Sequence, residues 1–233
     1  VNDMQGSVQK EVKDKAKNFF TQALEMIKHP STGFVEAVSD KDSKNGLILM
    51  GIEAVLTGLY LYVLLHKIVS ATMSGINSVF GTSRTAAQTP PLGGFFGYGI
   101  IIAIIVSLVI AALVMGLMKA MAEADINWFQ SCQIAGMRSL GLSLGWILGI
   151  LGLFLGMYQF AILIIVVGGV LGMIYMIVAM MSYPNTKKDM IAYVVLITIL
   201  VATFISYFVL KEFVLSSLIN NGGATTNFLN NIL

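Results

Sequence analysis

Charge is scarce in this sequence, and its scarcity excludes more than any motif does. Only 11% of the 233 residues are charged while 57% are hydrophobic, against about 25% charged in an ordinary soluble domain. So few ionic groups cannot cover a water-facing surface, so the chain is expected to use lipid as its solvent. A soluble enzyme, a disordered tail and a collagen-like fibre are excluded. Cysteine is nearly absent: Cys132 alone makes no internal disulfide, CxxC motif or Cys/His metal cluster. The two histidines, His29 and His66, fall at opposite expected faces of the membrane, where they cannot share a metal. A net charge of +2 is too small to point to nucleic acid. With no Ser-His-Asp set, HExxH, P-loop or GxGxxG after a strand, the expectation is a non-enzymatic protein without catalytic residues, metal or cofactor.

What is present is a series of charge-free apolar runs. A helix needs about 20 apolar residues to cross a hydrocarbon core, and five such spans are expected, at about 46–65, 95–118, 139–155, 160–181 and 190–210. Arg138 and Lys187 enclose 48 uncharged residues, far too long for one crossing at 1.5 Å per residue. That run is expected to fold as a hairpin turning near Gly156-Met157-Tyr158-Gln159. Barrel strands would alternate, whereas these runs are apolar all round, and lipid requires the backbone to satisfy itself within each segment. The fold class is therefore all-α: a five-span helical bundle with an N-terminal cytoplasmic amphipathic helix. Residues 1–45 form the cytoplasmic region, 46–215 the membrane domain and 216–233 an extracytoplasmic tail.

Basic residues orient the bundle. With the N-terminus inside, 11 Lys and Arg lie in cytoplasmic segments, Arg138 among them, and Lys67, Arg84 and Lys211 lie outside. The positive-inside rule then places the N-terminus in the cytoplasm and the C-terminus outside. Val8, Val12, Ala16, Phe19, Ala23 and Ile27 mark one face of a helix ended by His29-Pro30. The seven lysines before the first span are balanced by seven acidic residues in the same segment, which favours docking on the cytoplasmic ends of the spans over an anionic leaflet. Val69, Met73, Ile76 and Phe80 suggest a short interfacial helix in the outer loop, followed by the turn-rich SRTAAQTPPLGG. Asp125 reads as an N-cap before Trp128-Phe129, and Cys132 as a quiet interfacial thiol rather than a lipidation site.

Two sets of residues carry the candidate sites. Glu53 is the one carboxylate well inside a span, and an intramembrane acid points to a proton or cation relay or to a ligand contact. The favoured reading is a protonated or snorkelling residue that hydrogen-bonds to a neighbouring helix or to Thr57 one turn on, because the expected spans hold no second ionisable residue to complete a relay. Gly141, Gly145 and Gly149 repeat every four residues in the third span, and Gly168, Gly169 and Gly172 do similar duty in the fourth. Small residues let helix backbones approach. Packing within the chain is preferred over a homo-oligomer formed along the same seam.

The helix leading into MIKHPSTGFVEAV, the polar interval between spans one and two, and the stretch INWFQSCQIAGMRSLGLSLGWILGIL together resemble the YIP family, the Ypt/Rab-interacting polytopic membrane proteins, in its bacterial branch. The resemblance covers roughly Phe19 to Leu210. The family's usual proline near the start of span three is missing, with Gly141 nearby instead. The resemblance implies a membrane scaffold or adaptor whose partners are membrane lipids and other membrane proteins. The alternative is a small-solute or ion transporter using Glu53. Twelve lysines against two arginines suit a low-GC bacterium, so the expected location is a Gram-positive-type plasma membrane.

Overall fold

The computed structural model describes residues 17–80 and 93–220. Among these are seven helices and no strand: α1 (residues 17–28), α2 (Pro30–Ser39), α3 (Asn45–Phe80), α4 (Gly93–Met121), α5 (Trp128–Phe154), α6 (Tyr158–Met181) and α7 (Lys188–Asn220). Five of them, α3 to α7, are long and apolar enough to cross a membrane. The chain is a multi-pass, all-helical membrane protein.

The least apolar of the five spans is the most deeply placed. In α5, 61% of the membrane-length stretch is buried, against 28% in α4, α6 and α7. Lipid is the solvent here, so the most apolar helices face outward and the one carrying polar side chains is surrounded by protein. α5 packs against α3, α4 and α6, while α7 leans mainly on α4.

The α5–α6 hairpin turns at Leu155-Gly156. Gly156 has φ +75°, a left-handed conformation that costs a residue with a Cβ but not glycine. From there the helices return in close backbone contact. A Cβ built on Gly145 would sit 2.9 Å from the Gly168 Cα, and one on Gly141 would collide with the Gly172 backbone. Gly149 meets Ile165 and the Ala161 carbonyl. Gly169 is outside this seam, its nearest neighbour being a Leu142 methyl at 3.9 Å.

Three boundaries differ from the sequence expectation. α3 runs unbroken to Phe80, about 54 Å at 1.5 Å per residue, so residues 69–80 continue the first spanning helix instead of forming a separate one. No proline interrupts it and Gly75 alone is a weak breaker. α5 begins at Trp128, eleven residues before the expected third span. α7 continues past residue 216 to Asn220. Val8, Val12 and Ala16, most of the SRTAAQTPPLGG stretch and the Gly222-Gly223 tail lie outside the described residues.

One end of the bundle is closed by α1, α2 and the short loops. Phe34 of α2 is fully buried, edge-on to Tyr175 of α6 with ring centroids 5.2 Å apart. On α1, Phe19, Ala23 and Ile27 pack against the same core, while Phe20 and Leu24 face outward.

Candidate functional site

Glu53 lies eight residues into α3 and Arg138 ten residues into α5, about 12 and 15 Å along their helices. Both are buried, 5% and 7% exposed, and they meet: Arg138 Nη2 is 3.1 Å from Glu53 Oε1 and 3.2 Å from Oε2. Arg138, read from sequence as a cytoplasmic flanking charge, is thus an interior residue, and Glu53 has an ionic partner.

Two serines complete the cluster. Ser107 of α4 donates to Glu53 Oε2 at 3.1 Å and accepts from Arg138 Nη2 at 3.1 Å. Ser139 of α5 also donates to Glu53 Oε2. Thr57 does not reach the carboxylate; its hydroxyl donates to the Glu53 backbone carbonyl at 2.8 Å. The pair is single-pronged, since Nη2 alone contacts the carboxylate, and Arg138 Nε is buried with no partner. A forked guanidinium–carboxylate pair would use two nitrogens. The arrangement joins three spanning helices through one carboxylate.

The glycine seam adjoins this cluster on the opposite side of α5. A Cβ on Gly172 would lie 2.6 Å from the Arg138 carbonyl, so α6 presses on the backbone of the residue whose side chain holds Glu53. A second close contact was not anticipated from sequence: Gly136 of α5 faces Gly46 of α3, where an added Cβ would be 2.6 Å from the Gly46 Cα. Cys132, 1% exposed, sits beside this crossing, a position closed to lipidating enzymes.

Arg138 could have been placed from sequence by the correct helix start. Asn127, not Asp125, is the N-cap of α5: its side chain accepts from Gln130 N at 2.9 Å and Gln130 Oε1 accepts from Asn127 N at 3.1 Å. This reciprocal capping box, Asn-x-x-Gln, puts Arg138 three turns inside the helix. The same Gln130 donates to the Val38 carbonyl at 3.2 Å, and its Oε1 lies 3.0 Å from the Tyr183 hydroxyl, which donates to the Asp125 carbonyl. Burial pushes the Tyr183 hydroxyl above the usual tyrosine range; the nearby Asp125 charge adds to the rise and the Gln130 hydrogen bond opposes it. Among the described residues no three His, Cys, Asp or Glu side chains come together.

The DUF6574 sequence profile, which describes a domain of unknown function, matches residues 9–221. The chain belongs to that family. No curated protein and no solved structure matches it. The DUF6574 match spans α1 to α7 and so includes Glu53, Ser107, Arg138 and Ser139.

Proposed function

We propose that this protein is a non-enzymatic membrane scaffold or adaptor, acting through contacts with other membrane proteins and with lipids. The observation that carries the reading is the saturation of Glu53 by its own chain: Arg138, Ser107 and Ser139 all bond the carboxylate, from two other helices. A relay carboxylate must trade its proton with a path, whereas this one ties α3, α4 and α5 together. The resemblance to the YIP family supports the same role. The orientation that fits is N-terminus inside at a bacterial plasma membrane; with Arg138 moved into the bundle, basic residues still divide 10 to 3 in its favour.

The test is reconstitution beside co-purification. Vesicles containing the natural protein and a pH-sensitive dye should show no proton or cation flux above protein-free vesicles. A membrane-protein partner recovered in mild detergent should still be recovered with the charge-free double variant Glu53→Gln/Arg138→Gln. Flux by the natural protein that the double variant loses would establish transport instead. Transport is the second reading, and the unpartnered Nε of Arg138 is the observation that favours it.

A further inference from the structure

α3 and α5 run parallel and hold one register along their seam. Gly46 lies against Cys132, Glu53 against Ser139 and Tyr60 against Trp146, and in each pair the two residues are 86 positions apart. The steps of seven are those of a left-handed helix pair. The same register puts Thr57 and Ser143 in the layer between Glu53/Ser139 and Tyr60/Trp146. Three successive layers of a membrane-buried seam are therefore polar.

The polar atoms in these layers are not all paired. Among the described residues four buried side-chain atoms lack a hydrogen-bond partner, and all four are on α5: Gln133 Oε1, Arg138 Nε, Ser143 Oγ and Trp146 Nε1. Gln133 is near the start of the helix, where its amide nitrogen donates to Ser43. The other three belong to the polar layers. Arg138 and Ser143 are 7% and 6% exposed, out of reach of bulk water, and an unpaired polar group in an apolar interior carries a desolvation penalty that nothing offsets. Beyond these layers the seam is sealed. Val63, Ile150 and Leu153 are buried on one side, with Leu64 packed against them; Met50 and the Gly46–Gly136 contact close the other.

We infer that the Thr57/Ser143 layer binds internal water, a short file of molecules that joins Arg138 Nε to Ser143 Oγ and Trp146 Nε1. The ligand is neutral because the cluster already is: Glu53 balances Arg138, and an added ion would be an uncompensated charge. Two of the groups are N–H donors and the third is a hydroxyl, so the ligand must accept and be small enough to link groups spread over about 12 Å of helix. Water does both. Ser143 and Thr57 are the small side chains of the layer between Glu53/Ser139, which the Arg138 guanidinium joins, and Tyr60/Trp146.

The experiment uses the full chain in deuterated detergent with nitrogen-15-labelled tryptophan. Its two indole N–H signals are assigned with Trp128→Phe. Magnetisation should pass from water to the Trp146 indole N–H of the natural protein. It should be lost in Ser143→Val, which fills the layer, while the helical circular dichroism is kept. Absence of that transfer in the natural protein, where the more exposed Trp128 shows it, overturns the proposal; this outcome needs no variant to fold. Transfer that persists unchanged in a folded Ser143→Val overturns it too. Bromide quenching of Trp146 fluorescence in Trp128→Phe would assign the layer to an anion and reject water.

Discussion

Removing the charge from Glu53 should damage this protein more than removing it from Arg138. A carboxylate and a guanidinium 3.1 Å apart attract by about 5 kcal/mol at an effective dielectric constant of about 20, and losing one partner of a buried pair typically costs about 3–5 kcal/mol. The two losses are not equivalent. Arg138→Gln leaves a carboxyl that can take a proton and keep its bonds to Ser107 and Ser139. Glu53→Gln leaves a guanidinium that cannot discharge, with Nε already unpartnered. Glu53→Gln is therefore expected near the upper end of that range and Arg138→Gln below the lower end. The double variant Glu53→Gln/Arg138→Gln should be more stable than Glu53→Gln alone, since no isolated charge remains. The assay is equilibrium unfolding in mixed dodecyl maltoside and dodecyl sulfate micelles, followed by helical circular dichroism. Additivity of the two single variants to within about 0.5 kcal/mol, the scatter of independent sites, would refute the pairing argument.

Gly141→Ala should destabilise the bundle by about 1–3 kcal/mol through collision with the Gly172 backbone, while Gly169→Ala, with 3.9 Å of clearance, should be nearly neutral in the same unfolding assay. Tyr183→Phe should cost about 1–2 kcal/mol by leaving the Asp125 carbonyl without its donor. Because the folded state holds the Tyr183 proton more tightly, its contribution is complete below the ordinary tyrosine value of about 10 and is lost as pH rises through the folded value; the alkaline stability slope should be shallower in Tyr183→Phe. In a Cys132→Ala background, Gln159→Cys in the first turn of α6 should react with an impermeant thiol reagent on intact cells and Glu123→Cys between α4 and α5 should not, and the reverse pattern would invert the proposed orientation.

The sequence by itself determined the solvent, the all-helical class and the hairpin. Runs without charge and longer than one bilayer leave few choices, because each backbone group in lipid must be bonded within its own helix. Glycine at every fourth position of one span marked a close-contact face before any neighbour was known, and Gly156 marked the turn. Glu53 stood out for the same local reason: one acid in an apolar run. Its partner did not, since Arg138 looked like a flanking charge until the Asn127–Gln130 cap moved the start of α5 outward. What only the tertiary structure decided was which helices meet and in what register. The 86-residue offset that sets Ser139 against Glu53 and Trp146 against Tyr60 is fixed by side-chain fit between helices distant in sequence, and apolar periodicity carries no information about it. The ion pair, the polar layers beside it and the α5-centred bundle all follow from that register.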